Sequence, residues 1–157
     1  MFRGAYEHTV DAKGRTALPA KFREVLQGKY GGEGTLMLAP STDGSPCLRA
    51  YPMQEWRATE DKLAAMDDFD PRVDELIRLF VGPAIEVELD KLGRVLVPQA
   101  LRESIGVGRA KDAPGGDVAF VGKLKHFEIW DAATYREYTD KQRSEGKLSR
   151  ALKELSP

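Results

Sequence analysis

Polar and apolar residues alternate most clearly in the segment that follows residue 84. Ile85, Val87 and Leu89 alternate with Glu86 and Glu88, which is the two-residue period of a strand with one buried face. A shorter segment over residues 7–10 occupies the same place near the N-terminus. Both segments are predicted to be strands, and each leads into the same turn sequence.

That turn sequence is part of an internal repeat. The nine residues from Asp11 to Pro19 align with those from Asp90 to Pro98, each reading Asp-x-x-Gly-Arg and ending in proline. The same spacing places Arg23-Glu24 on Arg102-Glu103 and residues 48–51 on residues 127–130. One small module therefore occurs twice in the chain.

Each copy predicts the same order of elements. The Asp-x-x-Gly turn joins two strands into a hairpin, with Asp11 and Asp90 accepting backbone N–H bonds and Gly14 and Gly93 adopting positive φ. The second strand spans residues 15–18 or 94–97, and a short helix then begins at a proline and ends at Gly28 or Gly106. A second hairpin closes each module, pairing 35–39 with 47–51 and 117–121 with 126–130.

Helices are predicted after each closing hairpin. The first hairpin leads into a connector with an apolar stripe of Met53, Trp56, Leu63 and Met66, and then into a helix after Pro71 that carries Leu76, Ile77 and Phe80. The second leads into a helix capped by Asp131 that fades near Gly146. Leu148, Leu152 and Leu155 follow at helical spacing. That tail either docks on a neighbouring subunit or frays.

A module of this size is too small to bury a sufficient core alone. Partner modules must therefore supply the rest of the core, and we expect oligomerisation.

Composition indicates a soluble globular protein. Of the 157 residues 41% are hydrophobic and 31% charged, and we find neither an 18-residue apolar run nor a secretory leader. We therefore expect a soluble, intracellular protein that has no contact with membranes.

Charge is unevenly distributed. The net charge of −1 argues against nonspecific coating of nucleic acid, which needs many cationic contacts with phosphate. Basic residues are in excess over residues 1–30, whereas acidic residues are in excess over residues 55–78. The acidic segment is interpreted as a solvated surface, with a docking site as the alternative.

No catalytic or metal-binding pattern is evident. The single cysteine, Cys47, lacks a neighbouring histidine pattern and is interpreted as structural. The histidines, His8 and His126, have no Ser, Cys or paired carboxylate at a catalytic spacing. We predict no enzyme activity, no metal and no cofactor.

The order strand, Asp-x-x-Gly-Arg turn, strand, proline, short helix and hairpin resembles the swapped-hairpin fold of the AbrB and SpoVT DNA-binding proteins. With this module doubled, the chain resembles the MraZ family. The opening Met1-Phe2-Arg3-Gly4, the segment from Tyr51 to Trp56 and the later Phe127-Glu128-Ile129-Trp130 carry that resemblance over nearly the whole chain.

The resemblance implies an α+β protein: a tandem pair of swapped-hairpin, AbrB-like β-barrel modules with a helical connector and a C-terminal helix. The expected domains are repeat 1 at residues 5–54, the connector at 55–81, repeat 2 at 82–133 and the C-terminal helix and tail at 134–157. The implied function is transcriptional regulation of the bacterial division and cell-wall gene cluster. Such a regulator acts in the cytoplasm at the nucleoid, and the resemblance favours repression. Its implied partners are tandem short repeats in double-stranded promoter DNA and identical subunits that form a ring through their intertwined sheets.

The basic residues of the turns are the candidate DNA contacts. A guanidinium at the edge of a turn can bind guanine or phosphate through two bonds. We expect DNA contact from Lys13 and Arg15. The second copy has Leu92 in place of Lys13 and a displaced Lys91. Lys91 and Arg94 are therefore left open, and we expect Arg94 to act chiefly in structure or oligomer geometry.

Other charged residues are open to a purely structural or solvated role. Asp11 and Asp90 are expected to form ion pairs with Arg15 and Arg94 that brace the turns. Arg3, Lys21 and Arg23 are candidates for phosphate contact, with a solvated role as the alternative. An oligomeric scaffold protein that does not bind DNA is the alternative function for the whole chain.

Overall fold

The computed structural model describes residues 1–108 and 116–156, which form a mixed α and β structure. Residues 109–115 of repeat 2 and residue 157 of the predicted tail lie outside the described part. The described strands, in chain order, are β1 (Ala5–Thr9), β2 (Arg15–Ala17), β3 (Thr35–Pro40), β4 (Cys47–Pro52), β5 (Ile85–Glu88), β6 (Arg94–Leu96), β7 (Asp117–Gly122) and β8 (Phe127–Asp131). The described helices are α1 (Ala20–Lys29), α2 (Met53–Ala64), α3 (Pro71–Leu76), α4 (Gln99–Ser104), α5 (Ala132–Ser144) and α6 (Lys147–Leu155). A π-helical turn, Ile77–Val81, directly follows α3.

The two repeats exchange their first strands. Six strands form one antiparallel sheet in the order β1-β7-β8-β4-β3-β5, so β1 of repeat 1 pairs with the hairpin of repeat 2, and β5 pairs with the hairpin of repeat 1. The remaining strands, β2 and β6, pair with each other in a two-stranded ribbon that lies against β1 and β5. Val95 of β6 also forms a single antiparallel bridge with Leu89. The predicted swapped-hairpin architecture is confirmed. The predicted hairpin between the first two strands of each copy is only partly present. The turn is closed in both copies and Leu89 bridges Val95 in the second, but the continuous ladders of these strands are formed with strands of the other copy.

The exchange produces one shared core. Its buried side chains come from both repeats and include Phe2, Phe22, Leu38, Phe120 and Phe127. The expectation that another module must complete each core is thus met inside a single chain. The expectation that a second subunit is needed for this purpose is wrong, since the intertwined sheets belong to one chain.

Helices cover the outer face of the sheet on both hairpins. Trp56 of α2 and Phe80 of the π-helical turn pack on Tyr51 of β4, with ring centroids 5.4 and 6.2 Å from the tyrosine. On the other hairpin, Tyr135 and Tyr138 of α5 pack on Trp130 of β8, at 5.5 and 5.1 Å. The predicted cap of α5 is present, because the Asp131 carboxylate accepts the N–H of Thr134 at 3.0 Å.

Three sequence predictions about the helices and strands need correction. Helix α1 continues through Gly28 to Lys29, because one glycine inside a helix costs only about 1 kcal/mol; Gly31 and Gly32, which follow it, have positive φ. Of the predicted connector stripes, Met66, Leu76 and Ile77 are exposed, since α2 ends at Ala64 and only Phe80 turns inward from the second helix. Ile85 is also exposed, and Val87 is the buried residue of β5.

No helix within the described ranges is both long and apolar enough to cross a membrane.

Candidate nucleic-acid interface

The Asp11 turn is held by its own side chain. Asp11 Oδ1 accepts the backbone N–H groups of Lys13 and Arg15, both at 2.9 Å. Gly14 completes the turn with φ of 91°, a conformation that glycine adopts without steric cost. The second turn repeats this geometry: Asp90 Oδ1 accepts two backbone N–H groups at 2.9 Å, and φ of Gly93 is 74°.

Each turn aspartate also pairs with the arginine that follows the glycine. Arg15 Nε lies 2.7 Å from Asp11 Oδ2, and Arg94 Nε lies 2.8 Å from Asp90 Oδ2. Backbone and side-chain hydrogen bonds from these arginines lower the pKa of both carboxyl groups below the ordinary value, so the aspartates stay ionised at neutral pH. The pairing uses Nε, and in the described part of the chain no other residue engages the terminal guanidinium nitrogens. Those nitrogens are available to an external acceptor.

The ribbon presents the two arginines on one face. Arg15 lies opposite Leu96 and Ala17 lies opposite Arg94, while the central pair, Thr16 and Val95, is buried. Because strand side chains alternate between faces, Arg15, Ala17, Arg94 and Leu96 all point outward. The two arginines line one open depression, which is bounded on its other side by residues 7–10.

The arginines of the two repeats are equivalent in this geometry. Their side chains are 36% and 33% exposed, and they make the same ion pair and receive the same backbone support. A structural role therefore belongs to both arginines, not to Arg94 in particular. The difference between the copies lies beside them, where exposed Lys13 corresponds to exposed Leu92.

An acidic residue near the depression is neutralised. Glu7 of β1 accepts a 2.6 Å hydrogen bond from Arg136 of α5 in an ion pair. Asp11 and Asp90 are also paired with arginines. The three carboxylates near the ribbon therefore repel an anion such as phosphate less than unpaired carboxylates would.

Other basic residues are placed elsewhere. Arg3 precedes β1 and the Asp11 turn follows it, so a strand of five residues, roughly 15 Å, separates them. Arg3 instead lines a surface depression with Lys21 and Lys29. Lys91 lies in the cleft between its own turn and α1. The structure thus brings Arg15 and Arg94 together and leaves Arg3 apart from them.

Two arginines that the sequence did not identify as structural form contacts between the repeats. Arg23 packs against Gly93 and its terminal nitrogen donates to the Leu92 carbonyl at 3.3 Å, while Arg102 packs against Gly14. Arg23 was a candidate for phosphate contact, and this position makes it a support of the second turn. The signal was present in the repeat, because Arg23-Glu24 aligns with Arg102-Glu103. The exposed Leu96 was missed as well, although strand alternation places it on the same face as Arg94.

Cys47 is buried, and burial together with the nearby Glu128 carboxylate raises the pKa of its thiol well above the ordinary value. A thiol that stays protonated is a poor nucleophile, which supports its structural interpretation. Over residues 1–108 and 116–156, no cluster of three or more His, Cys, Asp or Glu side chains is placed to hold a metal ion.

The chain is similar to known proteins over almost its full length. The family model described as "MraZ protein, putative antitoxin-like" matches residues 1–78 and 80–155. Proteins with the name Transcriptional regulator MraZ include one from Acetivibrio thermocellus, 40% identical over 88% of this chain and 87% of that protein. Another from Geotalea daltonii is 42% identical over 87% of both chains, and one from Alkalilimnicola ehrlichii is 35% identical over 93% of both.

These matches agree with the doubled turn and the exchanged strands described above. The chain belongs to the MraZ family, whose members named here are transcriptional regulators.

Proposed function

We propose that this protein is a sequence-specific DNA-binding regulator that represses transcription of the bacterial division and cell-wall gene cluster from tandem promoter repeats. The observation that carries the proposal is the exposed ribbon, which places Arg15 and Arg94 on one outward face with their terminal nitrogens unengaged by the described residues. A two-stranded ribbon has a width that the major groove of B-DNA admits, and arginine is the side chain that most often recognises guanine there.

The turns supply the neighbouring phosphate contacts. Lys13 extends from the first turn and is exposed beside a ribbon strand. Lys91 extends from the second turn and is also exposed, on the side that faces α1. Base contacts from the ribbon and phosphate contacts from the lysines would then come from one rigid unit, because the turns are fixed by Asp11 and Asp90. Arg3 is too far along β1 to join this unit and contacts phosphate only if the DNA extends past the N-terminus.

Several subunits are needed to reconcile this small surface with specific binding. One ribbon offers few cationic contacts, and the net charge of −1 supplies no general attraction. Identical subunits held in a ring would bind evenly spaced repeats, each contact raising the effective concentration of the next. Occupancy of the promoter in the cytoplasm, at the nucleoid, would exclude polymerase. Transcriptional regulation of this kind requires no catalytic group, metal or cofactor.

The test is a binding titration on the DNA just upstream of the gene, at two salt concentrations. Arg15→Ala is expected to weaken binding by tenfold or more, and to reduce the dependence on salt, without changing the mass of the oligomer. Arg57→Ala is the matched control. Arg57 is also exposed and paired with a glutamate, Glu33, but it lies on α2. An unchanged affinity for Arg15→Ala would rule out the contact assignment.

The second candidate function is an oligomeric scaffold that does not bind DNA. The observation that favours it is the acidic, partly apolar surface of the connector, which is suited to a protein partner. The same titration decides, since a scaffold would show no salt-dependent preference for the upstream fragment over a fragment of scrambled sequence.

A further inference from the structure

Helix α6 exposes an apolar face. Leu148, Leu152 and Leu155 lie on one side of this nine-residue helix and are 64%, 59% and 84% exposed. A helix with three unburied leucines at i, i+4 and i+7 has the pattern of a surface that is covered in an assembly. Within residues 1–108 and 116–156 nothing buries these leucines, and α6 makes its main contact with α5.

The connector exposes a second apolar surface. Met66, Val73 and Leu76 line a shallow groove between the end of α2 and the outer side of α3, with Asp67, Asp70 and Arg72 at its border. Phe69 stands beside the groove and is 94% exposed. Met66 and Leu76 belong to the two apolar stripes that the sequence predicted in the connector, and here they remain exposed.

The two surfaces carry opposite charge. Residues 67–75 of the connector contain five acidic residues and one basic residue, Arg72, which is already paired with Asp70 at 2.7 Å. Helix α6 contains three basic residues and one acidic residue, namely Lys147, Arg150, Lys153 and Glu154. Lys147 is paired with Glu145 of its own chain at 3.6 Å, whereas no described residue pairs with Lys153, whose long side chain can reach a neighbouring acidic surface.

The edges of the six-stranded sheet are in contact with the ribbon of the same chain. The six-stranded sheet ends in β1 and β5, and the ribbon of β2 and β6 lies against both of these edges. Contact with the ribbon makes these two edges less available to a strand of a second subunit.

We propose that the leucine face of α6 in one subunit docks in the groove formed by Met66, Val73 and Leu76 in the connector of the next subunit. The occupant is a second copy of this chain, and the inference rests on the oligomer put forward under Proposed function. The two surfaces differ, so the contact is head to tail. A head-to-tail contact generates a closed ring when its rotation closes and a filament when it does not. The acidic connector thus serves as a docking site for the basic tail.

Mixing two full-length variants, each with one cysteine added to the native Cys47, tests this contact. Leu152→Cys and Leu76→Cys are each purified, mixed and oxidised, and non-reducing electrophoresis is used to detect the disulfide-linked dimer. The native Cys47 is buried and does not compete. Leu124→Cys replaces Leu76→Cys in the control mixture, because Leu124 is more exposed than Leu76, 59% against 37%, but lies between β7 and β8. The Leu152 and Leu76 mixture should give at least tenfold more linked dimer than the control.

Other results would overturn the proposal. Equal yields in the two mixtures show that the groove is not the partner of α6. Dimerisation of Leu152→Cys alone, at a higher yield than in the mixture, shows that leucine faces meet each other. A disulfide that forms within one chain of the Leu76→Cys/Leu152→Cys double variant at high dilution shows that α6 folds back on its own connector.

A mass measurement separates this inference from the proposed function. Leu152→Glu should lower the mass seen by light scattering to that of a 17.4 kDa monomer, while Leu124→Glu should not. An unchanged mass for Leu152→Glu refutes the docking even if the protein binds the promoter. Loss of the oligomer with no promoter binding by the wild type refutes the function and leaves the docking supported.

Discussion

The guanidinium of Arg102, in the second repeat, lies against Gly14, in the first, at the place where any other residue would carry its Cβ atom. Arg23 stands in the same relation to Gly93. The backbone adds to each contact, because Leu18 donates to the Gly93 carbonyl at 3.0 Å and Val97 to the Gly14 carbonyl at 3.1 Å. Each turn that bears a candidate DNA-binding arginine is therefore held by the other repeat.

Gly14→Ala should be destabilising for two separable reasons. The positive φ at Gly14 strains any other residue by about 1 kcal/mol, and the new methyl group must displace Arg102. We expect a loss of roughly 2 to 3 kcal/mol in the free energy of unfolding, measured by urea denaturation.

The control for this prediction is Gly44→Ala. Gly44 has φ of 79° and nothing near its missing Cβ, so it should show the backbone strain alone. Arg102→Ala in the Gly14→Ala background should recover the steric part of the loss. Equal losses at Gly14 and Gly44 would show that the contact with Arg102 has no energetic weight.

Asp11→Ala should lower the melting temperature at pH 7, because it removes the acceptor of two backbone N–H groups and the partner of Arg15. The pKa of Asp11 in the folded state is below 3.8, the ordinary value of an aspartate. Its contribution to stability is therefore present above that pH and lost as the pH falls through the lowered pKa.

The melting temperatures of wild type and Asp11→Ala should accordingly converge at strongly acid pH, as followed by circular dichroism. Asp11→Asn, which retains an oxygen acceptor, should fall between them at pH 7. If Asp11→Ala reduced only DNA affinity, the aspartate would be a recognition residue and its role in bracing the turn would be wrong.

Local features of the fold were predictable from the sequence because they depend on neighbouring residues. The hairpins 35–39 with 47–51 and 117–121 with 126–130 agree with the observed strands to within about a residue, and the cap at Asp131 follows from side-chain chemistry alone. The turn geometry also needs only Asp, Gly and the residues between them.

Strand partners were not predictable in the same way. Alternation of polar and apolar residues shows that a strand has one buried face, but it does not say which distant strand lies beside it. The pairing of β1 with β7 depends on how the two copies fill a common core. The same limit applies to the candidate site: the repeat identified Arg15 and Arg94 separately, and only the pairing of β2 with β6 places them on one face.

Leu92→Lys should strengthen binding to the promoter array. Leu92 is exposed at the position of the second turn that corresponds to Lys13, so the substitution gives both turns a lysine beside the ribbon. An additional phosphate contact in each engaged module should raise affinity severalfold at low salt and steepen the salt dependence. Fluorescence anisotropy at several salt concentrations measures both effects.

Leu124→Lys is the matched control for that gain, since it adds the same charge at an exposed leucine far along the chain from the turns. A similar increase in affinity for both variants would mean that general charge is responsible. The second turn would then have no particular place in the DNA contact.

His126 should make the fold sensitive to mildly acid pH. Its ring stacks on Tyr51 at 4.8 Å, and its Nε2 atom is buried without a hydrogen-bond partner in the described structure. Burial, followed by the positive charges of Arg49 and Lys123, lowers the pKa of His126 from 6.5 to about 4. The unfolded chain therefore binds a proton more readily than the folded one between these values, so stability is complete above pH 6.5 and declines as the pH falls toward 4. The complete loss in the free energy of unfolding from this histidine corresponds to roughly 3 kcal/mol.

The variant that checks this assignment is His126→Phe, which retains an aromatic ring against Tyr51 and cannot be protonated. Urea denaturation at pH 7, 5.5 and 4.5 should show the wild type losing stability across the series, while His126→Phe stays nearly level. At more strongly acid pH both proteins should weaken together, as the pH falls through the lowered pKa values of the turn aspartates Asp11 and Asp90. Parallel curves for the two proteins between pH 7 and 4.5 would assign the pH dependence to other groups and would show that His126 is hydrated in solution.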